Sequence, residues 1–146
     1  MKITSFTGEY SFLSNFHPSK IEYCGVIYPT LEHAYQAAKT DNPEERKKIQ
    51  AADTPGKAKK LGKSVTLTRD WNRKKLIVME NMLRQKFYNK ELRKKLLATG
   101  TAQLIEGNNW GDTFWGICNG KGMNHLGNLL VEIRADLKEY EDGELK

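Results

Sequence analysis

Pro29 Thr30 Leu31 Glu32 His33 Ala34 Tyr35 Gln36 Ala37 Ala38 Lys39 is the stretch around which the rest of the chain can be read. The Thr30 hydroxyl can accept a first-turn N–H, as an N-cap does, and Leu31, Ala34, Tyr35 and Ala38 recur on one helical face. The spacing predicts a short amphipathic helix. On it Glu32, Gln36 and Lys39 repeat at i, i+4, i+7 beside Tyr35, so a carboxylate, an amide and an ammonium border the apolar face. Such a stripe is either a solvated surface row, the common fate of charged helix faces, or one wall of a site.

The 146 residues contain no second hydrophobic block and no Pro/Gly/Ser linker, so one domain over residues 1–146 is expected. Residues 1–16 lack the basic and apolar pattern of a signal peptide and the Arg- and Ser-rich pattern of a transit peptide. No apolar run approaches the roughly 20 residues of a membrane span. The expectation is a soluble, cytoplasmic protein with no membrane partner. Cys24 and Cys118 lack CxxC spacing and are read as core thiols. His17, His33 and His125 stand singly, so no metal site and no cofactor is expected. The net charge of +6 favours anionic partners such as phosphates, nucleotides or nucleic acid. Much of the excess comes from Arg73, Lys74, Lys75, Arg84, Lys86, Lys90, Arg93, Lys94 and Lys95, on predicted helix surfaces where plain solvation is explanation enough.

In chain order, Ile3–Phe6 reads as a strand, and Tyr10–Pro18, with aromatics interleaved by Ser14 and Asn15, as an ordered loop. Its rings either plug the core or help wall a pocket where a flat base stacks. Ile21–Tyr28, broken at Gly25, reads as a hairpin. Asn42 caps a helix running to about Ala51, with Pro43 and Glu45 at favoured positions, and Thr54 caps one over Pro55–Leu61 that Gly62 should stop. After an extended piece at Val65–Thr68, Asp70 caps a long core helix bearing Leu76, Met79, Leu83 and Phe87. Glu91–Leu97 continues helical up to Thr99–Gly100. Ala102–Glu106 reads as a strand delivering the loop Gly107–Gly116, whose Trp110, Asp112 and Trp115 make it a site candidate. A last helix carries Asn124, Leu126, Leu130, Ile133 and Leu137, with an acidic tail expected to fray from about 140 to 146. Gly120 Lys121 Gly122 lacks the remainder of a P-loop or dinucleotide fingerprint.

Taken together, Phe6–Phe16, Thr30–Lys39, Ala58–Gly62, Glu106–Gly116 and Gly122–Gly127, standing in family order, resemble the NADAR (YbiA-like) family over nearly the whole chain. The resemblance implies an α+β fold, a single compact, mostly helical domain with a few short strands. It also implies an enzyme cleaving N-glycosidic bonds to ribose. Two substrate classes follow from it: phosphorylated ribosylamino-pyrimidine intermediates of riboflavin synthesis, and ADP-ribose on a base or other acceptor, including guanine in nucleic acid. By the same resemblance Glu32 and Lys39 match the family's helix carboxylate and lysine, and Trp110 and Asp112 its Trp and Asp after the strand. Trp115 and Asn124 border the pocket, and Phe12, Ser14, Asn15 and Phe16 match the loop that faces the ligand.

Cleaving a ribose C1–N bond passes through oxocarbenium-like charge and calls for an anion near C1, a proton for the departing base and a nucleophile. Lys39 can attack C1 to give a Schiff base that water hydrolyses, with Glu32 shuttling the proton and Asp112 holding sugar hydroxyls; in a plainer route Glu32 or Asp112 activates water. Partial burial against Tyr35 and the tryptophans would lower the Lys39 pKa toward the neutral amine such an attack needs. Trp110, Trp115 and Phe12 would stack on the base, Tyr35 and Gln36 line the pocket, and basic helices hold phosphate. These readings need Glu32, Lys39 and Asp112 to share one hollow. The bland alternatives are that Trp110 and Trp115 are core, that Asp112 is a turn residue after Gly111, and that Trp71, His33 and His125 pack. The rival function is a non-catalytic module binding ADP-ribose, an NAD-type ligand or nucleic acid.

Overall fold

The computed structural model describes residues 1–144. The chain divides into two compact units, Asn15–Lys86 and the pair of segments 1–14 and 87–146. Its elements are mostly helical with short strands, the α+β class expected.

In the unit Asn15–Lys86, β2 (Pro18–Tyr23) and β3 (Val26–Thr30) form the expected antiparallel hairpin, with Ile21 opposite Tyr28. Its two-residue turn places Cys24 at φ 51° and Gly25 at φ 80°, the doubly positive geometry that matches strand twist. Cys24 is therefore exposed at a hairpin tip rather than packed in the core, whereas Cys118 is buried. Thr30 closes β3 and caps α1 (Leu31–Ala38), its hydroxyl accepting the His33 N–H at 3.1 Å. Asn42 caps α2 (Pro43–Gln50) through the N–H groups of Glu44 and Glu45.

Thr54 caps α3 (Pro55–Gly62), but Gly62 lies inside the helix and Lys63 ends it with right-handed backbone. The glycine serves close approach instead: a methyl group at Gly62 would overlap the Gln36 amide oxygen and lie 2.6 Å from its Cδ. Val65–Thr68 joins no strand ladder among the described residues; it is tied down by Thr66 N–H to the Glu45 carboxylate and Thr68 N–H to Lys39 O at 2.6 Å. Asp70, at φ 59°, opens α4 (Trp71–Tyr88), its carbonyl accepting from Arg73 and Lys74.

The buried face of α4 is Met79, Met82, Leu83 and Phe87, while Leu76 is 37 % exposed. Lys86 departs further from expectation, because it is 1 % exposed rather than solvated. Burial pushes its ammonium down from 10.5 to about 7. A helix turning 100° per residue puts position 86 on the same face as 79, 82 and 83, and that face is interior.

In the other unit, β1 (Lys2–Ile3) pairs parallel with β4 (Gln103–Leu104). Both strands are shorter than the sequence suggests; beyond them the backbone at Gly107 comes up against Thr4 O, where a methyl group would overlap. The expected loop after Phe6 contains a 3-10 helix, Gly8–Leu13, which buries Phe12 and Leu13. Its i→i+3 bonds leave neither of the periods by which helices and strands are read from sequence. α5 (Lys90–Ala98) is capped by Asn89 and ended by Gly100 at φ 64°. β5 (Gly107–Asn108) and β6 (Ile117–Cys118) pair in parallel and enclose the tryptophan loop.

α6 (His125–Glu144) is helical through Glu144, against the expected fraying from 140; its i, i+4 pair Lys138–Asp142 and the contact of Arg93 with Glu141 hold that end. Residues 145 and 146 of the expected tail lie outside the described residues. No described helix is long and apolar enough to cross a membrane.

Candidate active site

The charged stripe of α1 turns inward. Glu32 and Gln36 are 8 % and 3 % exposed, and Lys39 is half-buried at the C-cap. Gln36 Nε2 donates to Glu32 Oε2 at 2.6 Å. The Lys39 Nζ lies 5.7 Å from the centroid of the Tyr35 ring, which packs against Trp71 with centroids 5.4 Å apart. Trp71, read from sequence as mere packing, thus backs the aromatic wall beside this lysine.

Burial lowers the Lys39 pKa below 10.5, the Glu32 carboxylate raises it, and the charges of Lys59, Lys75 and Lys63 lower it further. The charges of three further amines, from α3, the residue that ends it and α4, therefore bear on Lys39, against the opposing charge of Glu32. Repulsion among them is relieved when an anion enters, so the arrangement suits a phosphorylated ligand. Of these amines the sequence marks Lys75 within a basic helix expected to hold phosphate, whereas nothing in the spacing of Lys59 or Lys63 marks either as near Lys39.

Asn15 adjoins the stripe through its backbone: the Glu32 N–H donates to Asn15 O at 3.0 Å. Its side-chain Nδ2 donates to Met79 Sδ at 3.6 Å, while Oδ1 is buried with no hydrogen-bond partner. Phe16 is 41 % exposed. His33 is a packed histidine, as expected: Nε2 donates to Ala52 O at 3.0 Å, which leaves Nδ1 to accept from the Thr30 hydroxyl at 2.7 Å.

Phe12, Ser14, Trp110, Asp112, Trp115 and Asn124 belong to the other unit. Ser14 ends the 3-10 helix, its N–H donating to Ser11 O. Phe12 is buried, with Lys95 Nζ 5.9 Å from its ring, so little of the ring is left for a ligand. The Asp112 Oδ1 accepts from the N–H groups of Phe114 at 3.1 Å and Trp115 at 2.9 Å, the turn role weighed against a catalytic one. Asn108, which sequence reasoning did not single out, organises this loop: Oδ1 accepts from Asp112 N, and Nδ2 donates to Asp112 O at 2.8 Å and to Glu106 Oε2 at 3.0 Å.

Asn124, at φ 52°, engages both ends of its amide, accepting from Glu106 N and donating to Leu104 O at 2.9 Å. Trp115 meets Phe114 edge to face at 4.8 Å, and His125 packs against Phe114 at 4.5 Å. Trp110 is 59 % exposed and presents a ring to solvent. No group of three or more His, Cys, Asp or Glu able to hold a metal ion occurs among the described residues.

Residues 4–138 match the family model of the NADAR domain. The chain is 39 % identical over 137 residues to N-glycosidase YbiA of Shigella flexneri serotype 5b, covering 91 % of this chain and 85 % of that one. It is 37 % identical over 136 residues to an N-glycosidase of Nostoc punctiforme, covering 88 % of this chain and 86 % of that protein. It is also 36 % identical over 135 residues to a riboflavin biosynthesis protein of Vibrio vulnificus, covering 90 % of this chain but 36 % of that longer protein. The fold is similar to the NMR structure of Escherichia coli YbiA, with TM-score 0.83 and 36 % identity over 97 % of this chain and 86 % of that one. With a family model spanning nearly all of its length and relatives of this identity, the chain belongs to the NADAR domain family.

Proposed function

We propose that this chain cleaves the ribose C1–N bond of a phosphorylated ribosylamino-pyrimidine, using Lys39 as nucleophile and Glu32 as proton carrier. The broader activity follows from its relatives: it is an N-glycosidase, as two proteins 39 % and 37 % identical to it are named. The riboflavin biosynthesis name of a third supports the substrate class.

The observation that carries the mechanism is a buried carboxylate on the same helix face as a lysine whose amine is pushed toward neutrality by burial and by Lys59, Lys75 and Lys63. A neutral Lys39 Nζ attacks C1 as the C1–N bond breaks. Glu32 takes a proton from the attacking nitrogen and delivers one to the departing base, and its charge stabilises the oxocarbenium-like transition state. Opening of the sugar gives a Schiff base, which one water hydrolyses to free ribose phosphate and the regenerated amine. The lysines around Lys39 hold the phosphate, and Tyr35 and Trp71 supply the apolar wall that keeps the amine from being fully hydrated. Because the Lys39 pKa is lowered, turnover rises with pH until that lowered value is passed.

The test incubates the protein with a ribosylamino-pyrimidine phosphate and, separately, with ADP-ribosylated guanosine, and follows ribose 5-phosphate and ADP-ribose by mass spectrometry. Ribose 5-phosphate release, loss of release in Glu32→Gln with binding retained, and a borohydride-trapped sugar on Lys39 are expected. Release of ADP-ribose alone overturns the substrate class; turnover by Lys39→Ala without any trapped adduct overturns the covalent step; binding with no release from either compound leaves a binding module.

A further inference from the structure

We propose that Gln36 is a positioning residue, whose amide N–H holds the Glu32 carboxylate, and that Gly62 is a glycine so that this amide can lie between α1 and α3. The inference rests on the reading of Glu32 as the proton carrier. Gln36 is expected from sequence to line the pocket, and in the structure its amide engages the Glu32 carboxylate. Nε2 donates to Glu32 Oε2 at 2.6 Å, a short contact to a carboxylate acceptor, and the residue is 3 % exposed. Oε1 has no hydrogen-bond partner and rests where a methyl group on Gly62 would stand. A buried carbonyl without a donor is a penalty that an apolar side chain of similar shape would avoid. That the amide is nevertheless here is accounted for by what its N–H does to the carboxylate.

The consequence is that Gln36 keeps Glu32 ionised and aimed. The charged groups that bear on Lys39, the residue ending α1, are Glu32 itself, Lys59 and Lys63 from α3 and the residue ending it, and Lys75 on α4. α2 brings Glu45, which takes the Thr40 hydroxyl and the Thr66 N–H, and Arg46, which donates to Thr40 O. The hairpin brings Tyr23 and Tyr28, whose hydroxyl pKa values are raised chiefly by burial, with smaller effects from Arg46 and Cys24. Lys39 favours the Glu32 anion too, so removal of Gln36 weakens that preference without reversing it.

The Glu32 side-chain carboxyl is to be titrated by carbon-13 NMR in the unmodified chain, in Gln36→Leu and in Gly62→Ala, with thermal unfolding run in parallel. In Gln36→Leu the Glu32 titration is expected to rise by about one pH unit, the worth of one hydrogen bond to a charged group. On the ribosylamino-pyrimidine phosphate, kcat should fall roughly 10- to 100-fold with KM within about threefold, as expected when a catalytic group is misaimed. Gly62→Ala should move both readouts the same way, because the methyl displaces an intact amide. The double variant should be no worse than Gln36→Leu alone.

An unchanged Glu32 titration in either variant, or additive losses in the double variant, overturns the inference. Should leucine at 36 prevent folding, Gly62→Ala decides it, since it keeps the amide and moves it. Glu32→Gln on the same substrate separates the two claims. If that variant keeps turnover, the proposed function of Glu32 falls while the carboxyl titration still decides the Gln36 contact; if it loses turnover and Gln36→Leu is unaffected, positioning falls alone.

Discussion

Lys86 makes the stability of this protein depend on pH in a direction that can be worked out from its burial. The side chain is 1 % exposed and its ammonium is lowered from 10.5 to about 7. The unfolded chain therefore holds a proton at this position between about pH 7 and 10.5 that the folded chain does not. Stability rises with pH wherever the unfolded state binds more protons. The contribution is thus at its best above the unfolded value and is lost as pH falls toward the folded one. A drop of about 3.5 units at ~1.4 kcal/mol each sets a span of roughly 5 kcal/mol, of which about 3–4 kcal/mol falls between pH 7 and 10.

Urea unfolding followed by tryptophan fluorescence at pH 7, 8, 9 and 10 measures it. Lys39, also lowered, adds to the trend with the same sign, and Tyr23 and Tyr28, both raised, act with the opposite sign only above about pH 10, so the scan stops there. Lys86→Met isolates the lysine: it should flatten most of the slope and be stabilised most, relative to the parent, at pH 7. A parent whose stability changes by less than about 1 kcal/mol over this range, or a methionine variant with the parent's slope, would refute the reasoning.

Asp112→Asn retains an oxygen for the Phe114 and Trp115 N–H groups and should unfold near the parent, whereas Asp112→Ala should lose about 1–2 kcal/mol of stability in the same urea assay; a loss of turnover in a stable Asp112→Asn would give this carboxylate a chemical role besides its turn. Lys59→Ala and Lys75→Ala should raise KM by roughly 3- to 30-fold with kcat nearly unchanged, and added salt should raise the parent's KM in the same way, because both act on attraction between the lysines around Lys39 and a phosphate. Steady-state kinetics at two ionic strengths checks this, and a KM indifferent to both would remove the phosphate from that end of α1.

Local chemistry in the sequence determined the elements. Thr30, Asn42 and Thr54 cap the helices they were expected to cap, because a side-chain oxygen meets the N–H groups two or three residues on whatever surrounds it. The Tyr23–Val26 turn was legible through Gly25, and α5 through its ending at Gly100, for similarly local reasons. The α1 stripe was legible as a stripe, and the resemblance to a family pointed to Glu32 and Lys39 within it.

What lay beyond sequence was which way each polar face turns. Periodicity tells that Glu32, Gln36 and Lys39 share a side of α1, but only the packing of other elements against it, α3 brought close by Gly62 among them, makes that side interior. Lys86 reads in sequence like its basic neighbours and is buried because of what covers its helix. Asn108 looks like an ordinary polar residue, and the resemblance marks Asn124 only as a pocket border, until the backbones they bridge are brought together. Caps and turns are decided over a few bonds, whereas burial is decided by segments distant along the chain, and a shifted amine or a carboxylate held by an amide is a consequence of burial.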